Sequence, residues 1–424
     1  MNNIAISETA NDTVPISRQT WWFLVITFLS LFHLISIELG GFTLFRMPDL
    51  LFYVAAVYYL LKVDDSIVIK KWLLFLFMYG LTYFVFAIGT GQNYREAIGG
   101  FRQLILLPII GLFVGYNFCK NYQSYTGFIK TLRVLMYLSS MYLIINAFFG
   151  FDLEQEFGLI PRNVGIVFTI IIIWRLEQIV KTKEARLLAF VEISLSVLLI
   201  FFTSSRAIYV SVLLAIAYSL FKFSGIVKIS RLIWSSVVVL MSLVTVFVIA
   251  QSNKAIKLQI SKYIVDFAFF ERGTKVNKSQ VNNILWRYYA YTAQLKMISN
   301  KPVLGHGLGF EQKRQLFLEG PFAKYDPLKR TGHSYPLRIL THFGAVGLSI
   351  FTLFFWRIFS SNRNSPLSTS IRSFFIAVII YSLFDVALYG WTPFILFVFF
   401  VFGFGIKLSI LSSESLQDPR LISS

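Results

Sequence analysis

Five arginines lie in short polar stretches that separate long apolar runs in the first half of the chain, and these stretches contain no lysine. They are Arg46, Arg95, Arg102, Arg162 and Arg206. A guanidinium group stays charged and binds phosphate oxygens through two parallel hydrogen bonds. Any single one of these arginines is equally well interpreted as an anchor at a membrane surface. As a set, they predict a site for a phosphate-bearing ligand.

Arg206 has a second feature that favours anion binding. It follows Thr203-Ser204-Ser205 at the predicted beginning of a helix. The free N–H groups and the positive dipole end of a helix N-terminus attract anions. We therefore predict that Arg206 is part of a phosphate clamp.

The histidines are the candidates for acid–base chemistry. His333 lies between Arg330 and Arg338, and an imidazole with a pKa of about 6.5 suits a general base near neutral pH. His306 and His342 remain rival bases. Asp385, about one turn inside a predicted span, is expected to pair with an arginine, because a carboxylate at that depth needs a partner.

Neither a metal site nor a cofactor is expected. None of the histidines has the spacing to acidic residues that is typical of metal ligands. The single cysteine, Cys119, excludes an intrachain disulfide and a thiolate cluster.

The elements that position these residues are predicted to be membrane-spanning helices. The chain is 56% hydrophobic and 14% charged, whereas soluble domains carry about 25% charged residues. Runs of about 18 apolar residues predict helices, since a backbone in lipid must satisfy its own hydrogen bonds. We predict an all-α, polytopic helical integral membrane protein with about 12 transmembrane helices. The predicted spans are 21–39, 47–62, 72–90, 101–117, 127–149, 160–178, 187–203, 206–222, 231–251, 335–358, 371–389 and 391–410.

The distribution of lysine predicts the orientation of these spans. The lysine-bearing or basic loops at 62–71, 118–130, 175–186, 222–231 and 357–372 are assigned to the cytoplasm by the positive-inside rule. Both termini are then cytoplasmic. The predicted organisation is residues 1–251 with spans 1–9, a basic periplasmic loop at 252–334, and residues 335–424 with spans 10–12 and a cytoplasmic tail.

The long loop carries half of the net charge. It contains 14 Lys and Arg against 5 Asp and Glu, hence +9 of the total +18. In a membrane protein, such charge favours contact with anionic lipid or phosphate, and no nucleic acid is expected. The spacing of Ile256, Ile260 and Ile264 predicts a helix on the membrane surface. A second helix is predicted over 281–299, with Tyr291 and Leu295 on its apolar face, and the glycines of 305–309 predict a turn.

Three stretches together resemble the bacterial O-antigen ligase and O-antigen polymerase superfamily. The first is Phe202-Thr203-Ser204-Ser205-Arg206. The second runs from Trp286-Arg287 to Pro302-Val303-Leu304-Gly305-His306-Gly307-Leu308-Gly309. The third is His333-Ser334-Tyr335-Pro336-Leu337 with the following Gly344-Ala345-Val346-Gly347. Ser334 and His306 depart from the family pattern, which has an asparagine and an apolar residue there.

The resemblance implies an inner-membrane glycosyltransferase of about twelve spans. It implies a polyprenyl (undecaprenyl) diphosphate-linked glycan as donor on the periplasmic face, and lipid A–core or another lipid-linked glycan as acceptor. It implies no metal and no nucleotide. Arg206 and Arg287 would bind the diphosphate, with Arg162 and Arg102 as further candidates, and His333 would be the base on the acceptor hydroxyl. Arg338, His306 and Asp385 form a second tier.

The alternatives differ in where polar groups should lie. The ligase and the polymerase of this superfamily share the motifs, and the long loop slightly favours the ligase. A transporter or flippase of lipid-linked sugars needs its polar site near the midplane of the membrane, often on broken helices. The predicted cations gather at the outer mouth instead, which favours chemistry on one face.

Overall fold

The fold of the 424-residue chain is given by a computed structural model. It describes residues 36–39, 42–61, 67–120, 123–149, 164–181, 186–202, 206–224, 283–310, 317, 334–362, 368–384, 388 and 392–417. The predicted span at 231–251, most of the one at 21–39, and the predicted surface helix around Ile256 lie outside these residues.

The described elements are a short hairpin and thirteen α-helices. The antiparallel hairpin consists of β1 (Ser36–Leu39) and β2 (Phe42–Arg46). The helices of the first half are α1 (Met47–Leu61), α2 (Ile67–Gly89), α3 (Tyr94–Phe101), α4 (Leu107–Phe118) and α5 (Gln123–Phe149). They continue with α6 (Val164–Val167), α7 (Thr169–Lys181), α8 (Arg186–Phe202) and α9 (Arg206–Ser224). The second half has α10 (Asn283–Asn300), α11 (Tyr335–Ser361), α12 (Ser368–Phe384) and α13 (Thr392–Gln417).

The chain is a helical integral membrane protein, as predicted. Within the described residues, four helical stretches are long and apolar enough to cross a membrane: Lys71–Gly89, Tyr94–Phe118, Tyr335–Ser361 and Phe394–Ser413. Four shorter apolar helical stretches lie at Leu50–Leu60, Leu187–Ile200, Ala207–Phe223 and Ser368–Phe384. The total of about twelve spans stays a prediction.

Two predicted boundaries are wrong. The first span was expected to continue to residue 39, but residues 36–39 pair with β2 as a strand. The span expected at 101–117 begins earlier, at Tyr94, because a π-helix at Arg102–Leu106 joins α3 to α4 without interruption. Arg102 therefore lies inside a continuous helical stretch and not in a short loop.

The tightest packing in the described core joins α4 to α13 through glycines. A Cβ on Gly111 would lie 2.6 Å from Leu396 O, and one on Gly115 would lie 2.0 Å from Phe400 O. On the other helix, a Cβ on Gly403 would lie 2.0 Å from Leu112 O. Gly111 and Gly115 form a G-x-x-x-G pair, which lets two helix backbones approach in a membrane, where packing replaces the hydrophobic effect.

Candidate functional site

The turn after α10 is built on three alternating glycines. Gly305, Gly307 and Gly309 have φ values of 71°, 86° and 82°, a region that residues with a Cβ rarely adopt. The turn predicted from these glycines is therefore present, and its backbone path explains their spacing.

This turn fills a break in α11. The helix leaves helical geometry at Gly344, where φ is 64° and ψ is −164°. Such a break leaves carbonyl oxygens before it and N–H groups after it without helical partners. The turn supplies them: His306 N and Gly307 N donate to Thr341 O and His342 O at 2.8 and 3.0 Å. In return, Ala345 N and Val346 N donate to Pro302 O and Val303 O at 2.8 and 3.2 Å.

The contact between turn and break is too close for side chains. A Cβ on Gly344 would lie 2.2 Å from Val303 O, and a Cβ on Gly305 would lie 2.6 Å from His342 O. Both glycines are therefore required by the backbone approach as well as by their positive φ. Together they place α10, which ends just before the turn, against α11.

The same turn also packs on α2 and α3. Leu308 is fully buried, 3.2 Å from the place where a Cβ on Gly100 would lie. A Cβ on Gly309 would lie 2.9 Å from Ala97 N, and one on Gly307 would lie 3.7 Å from Ala87 Cβ. Gly100 is two residues before Arg102, so the turn links the helix that carries Arg102 to α10 and α11.

Arg102 begins the π-helix that follows α3. π-turns are uncommon inside α-helices. Those that do occur are frequently found at functional sites. Arg102 is half-buried, so its charge is partly removed from solvent. The helical stretch that carries it packs on the glycine turn.

The N-terminal end of α11 buries a second predicted arginine. Ser334 precedes the helix in extended geometry (φ −140°) and accepts Arg338 N at 3.1 Å through its carbonyl oxygen. Tyr335 is 2% exposed, and Arg338 is 0% exposed. A guanidinium stays charged even when buried, so Arg338 places a fixed positive charge in the first turn of α11.

The remaining predicted residues are located only in part. Arg206 is the first residue of α9, as predicted, so the free N–H groups of this helix begin there. Arg287 lies on α10, whose observed bounds are close to the predicted 281–299. The side chains of Arg206 and Arg287, and the whole of His333, Arg162 and Asp385, lie outside the part of the chain that is described.

Both rival histidines are buried and donate to backbone carbonyls. His306 is 6% exposed, its Nε2 lies 2.7 Å from Met297 O, and its ring stacks on Phe310 at 3.9 Å. His342 is 1% exposed, and its Nδ1 lies 2.9 Å from Gly307 O. One ring nitrogen of each is therefore occupied in holding the turn.

The apolar face predicted for α10 is not the face that is buried. Leu295 is 53% exposed, whereas Ala290, Gln294 and Met297 are each 1% exposed. Gln294 Nε2 lies 3.4 Å from Thr341 Oγ1 on α11. The buried face of α10 therefore includes an alanine and a glutamine, while Leu295 is exposed, and hydropathy alone does not indicate this.

Sequence reasoning also missed two tyrosines of α2 that pack at the break. The ring centroids of Tyr79 and Tyr83 lie 5.7 and 4.9 Å from that of Phe343, the residue before Gly344. Tyr83 Oη lies 3.5 Å from Phe343 O. The spacing of four residues between Tyr79 and Tyr83 could have indicated this packing, since it places both rings on one face of the helix.

Residues 191–352 match the family model of the O-antigen ligase family. This match supports the resemblance to the O-antigen ligase superfamily that the three sequence stretches indicate. The matched segment is less than half of the chain, and in the comparison with curated proteins nothing matches.

The O-antigen ligase segment includes most of α8, all of α9 and α10, the glycine turn and α11 beyond its break. It contains five of the predicted site residues, namely Arg206, Arg287, His306, His333 and Arg338. Arg102, Arg162 and Asp385 lie outside it. The turn nevertheless joins the segment to the helix that carries Arg102.

Proposed function

We propose that this protein is an O-antigen ligase-like glycosyltransferase. It transfers a glycan from a polyprenyl diphosphate donor to lipid A–core on the periplasmic face of the bacterial inner membrane. The observation that carries the proposal is the family segment at 191–352, which contains Arg206, Arg287 and His333 in one stretch. The turn of this segment packs into the break of α11. The polymerase of the same superfamily, which transfers to another lipid-linked glycan, is the alternative.

In the proposed reaction, the anomeric carbon of the glycan is attacked by a hydroxyl oxygen of the acceptor. His333 takes the proton from that hydroxyl as the new carbon–oxygen bond forms. The bond between the anomeric carbon and the diphosphate breaks, and polyprenyl diphosphate leaves with the electron pair. Displacement from the opposite face predicts inversion at the anomeric carbon.

The arginines stabilise the leaving group. Charge develops on the diphosphate as the bond breaks, and fixed cations aimed at that charge lower the barrier. Arg206 is assigned to this role because it coincides with the positive end of α9. Arg287 is assigned by its position in the family segment, with Arg338, Arg102 and Arg162 as further cations.

The first test is deletion of the gene in its host, followed by electrophoresis of surface glycolipids. A bare lipid A–core, with polymer retained on the lipid carrier, is the result expected for a ligase. A core capped by one repeat unit would assign the polymerase reaction instead. An unchanged ladder would contradict both and would return attention to a transporter or to another surface polymer.

Complementation of the deletion strain tests the residue roles. His333→Ala is expected to fail to restore the ladder at normal membrane levels, since loss of a general base costs about 10²–10⁴ in rate. Full restoration by His333→Ala would remove it as the base.

Arg206→Gln tests the clamp, with Lys222→Gln in the last turn of the same helix as the matched control. Loss of one stabilising donor costs about 10²–10³ in rate, so Arg206→Gln should reduce transfer strongly. Lys222→Gln should leave it unchanged. Equal behaviour of the two variants would contradict the clamp.

A further inference from the structure

Two histidine rings occupy both sides of the contact between the turn and α11, and their hydrogens are at different nitrogens. A carbonyl oxygen only accepts hydrogen bonds. His342 therefore carries its hydrogen on Nδ1, which lies 2.9 Å from Gly307 O. His306 carries its hydrogen on Nε2, which lies 2.7 Å from Met297 O. The two rings serve as fixed N–H donors.

His342 holds Gly307 by both of its backbone polar groups. The ring donates to Gly307 O, while the His342 carbonyl oxygen accepts Gly307 N at 3.0 Å. With 1% exposure, the ring has no room to leave this position without moving the turn. The side chain therefore ties the turn to the last residues before the break at Gly344.

His306 ties α10 to α11. Its ring donates to Met297 O near the end of α10, and its backbone N–H donates to Thr341 O on α11 at 2.8 Å. Stacking on Phe310, with an angle of 7° between the ring planes, fixes the orientation of the imidazole. A change at this ring would tilt α10 relative to α11.

We propose that His342 and His306 are positioning residues, which set the placement of Arg287 relative to the N-terminal end of α11 through these two N–H donors. Arg287 lies ten residues before Met297, a distance of about 15 Å along a helix. His333 directly precedes Ser334 at the start of α11. A small tilt at Met297 is therefore enlarged at Arg287, and a misplacement of about 1 Å can cost on the order of 10²-fold in rate.

The activity part of this proposal rests on the proposed function, but the test separates the two. Asparagine places its amide nitrogen where histidine has Nδ1, and glutamine places its amide nitrogen where histidine has Nε2. His342→Asn and His306→Gln therefore keep the observed donors. His342→Gln and His306→Asn misplace them. Each pair is matched in chemistry, so the two variants at a position control for loss of the imidazole itself.

The activity readout is transfer from an undecaprenyl diphosphate-linked glycan to lipid A–core in detergent, with kcat and KM determined separately. His342→Asn and His306→Gln are expected to stay within about 3-fold of the parent kcat. His342→Gln and His306→Asn are expected to lose about 10- to 100-fold in kcat with KM little changed, the effect of misplacement without loss of binding. Equal loss for asparagine and glutamine at either position would overturn the proposal.

The structural readout does not depend on activity. Val303 and Val346 are joined by a backbone hydrogen bond of 3.2 Å and are 60% and 40% exposed. A Val303→Cys/Val346→Cys pair should be cross-linked by a short bismaleimide as fast in the donor-keeping variants as in the parent, and more slowly in the other two. Cross-linking that is identical in all variants would overturn the positioning role. If the parent cross-links as expected but transfers no glycan, the proposed function fails and the tie between turn and helix stands.

Discussion

Glu192 on α8 is a carboxylate with no exposed surface, on which three donors from two other helices converge. Arg175 Nε on α7 lies 2.6 Å from it, Arg133 on α5 lies 2.7 Å from it, and Tyr137 on α5 donates to the same oxygen as Arg133. Arg175 is 5% exposed and stacks on Trp174 at 4.4 Å. A buried charge with this many partners fixes the relative positions of α5, α7 and α8.

Glu192→Gln is expected to destabilise the protein by about 3–5 kcal/mol, because it leaves the buried Arg175 guanidinium without its counter-charge. The amide NH₂ would also face donors where the carboxylate now accepts. Thermal unfolding in detergent micelles measures the loss.

Arg133→Gln is the matched control, since the Arg133 side chain is 28% exposed and can hydrate. It should cost clearly less than Glu192→Gln. Similar unfolding midpoints for the two variants would contradict a buried ion pair at the centre of this cluster.

At the residue scale, the types of the site residues were predictable and their burial was not. Hydropathy predicts that Arg338 is an exposed polar residue near the end of a helix, yet its side chain is 0% exposed. His306 could be read as a rival base from its sequence position, whereas its Nε2 donates to Met297 O. Burial of a charged or polar side chain depends on which distant elements pack over it, and single-chain spacing does not contain that information.

At the scale of elements, the α4–α13 contact makes a specific prediction. Gly115→Ala would place a Cβ 2.0 Å from Phe400 O and force the two backbones apart. We expect a loss of about 1–3 kcal/mol in unfolding free energy, typical of overpacking. Chemical unfolding in mixed micelles is the measurement.

Gly99→Ala is the control for this substitution. Gly99 lies in α3, and a Cβ there would have nothing within 4 Å. Alanine in a helix is favoured over glycine by up to about 1 kcal/mol, so this variant should be neutral or slightly more stable. Destabilisation of Gly99→Ala to the same extent would contradict the close approach of the two backbones as the cause of the Gly115→Ala effect.

Helix positions were largely predictable from hydropathy, and the irregularities were not. Observed helices such as α1, α8 and α9 end within two residues of the predicted spans. The π-helix at Arg102–Leu106 and the break at Gly344 were missed, because an apolar run looks the same whether its backbone is regular or not. The buried face of α10 was mispredicted for a related reason: in a membrane, leucine can face lipid while small and polar residues face a neighbouring helix.

At the scale of the whole molecule, large apolar side chains form much of the described surface. Phe221 is 78% exposed, Leu60 is 63% exposed, and Trp356 is 61% exposed. A soluble protein rarely exposes apolar patches of this kind, whereas helices in lipid do so as a rule. The surface therefore agrees with the 56% hydrophobic composition.

The predicted orientation is testable by cysteine labelling. Thr90 and Lys120 are both exposed. Thr90 lies just before the helical stretch Tyr94–Phe118, and Lys120 lies just after it. In spheroplasts, a membrane-impermeant maleimide should label Thr90→Cys and should label Lys120→Cys only after permeabilisation, because lysine-bearing loops are retained inside. The reverse pattern would invert the assignment.

The native cysteine should not interfere with this measurement. Cys119 is 1% exposed, and burial raises the pKa of its thiol to about 12, although nearby Lys407 acts in the opposite direction. The thiolate is the reactive form, so below that pKa the thiol stays protonated and unreactive. Labelling of the parent protein at pH 7 is expected to be negligible.

The pairing between the glycine turn and the broken α11 has a consequence for biogenesis. An apolar segment that leaves the translocation machinery normally satisfies its own backbone, but the segment Tyr335–Ser361 cannot do so at Gly344. Each backbone group left unpaired in lipid costs several kcal/mol. Its partners lie in the turn, with Gly307 made 35 residues before His342. This span therefore does not insert as an autonomous unit. The glycine turn is synthesised before the span, and the irregular backbone of the span is satisfied in the bilayer when it pairs with that turn.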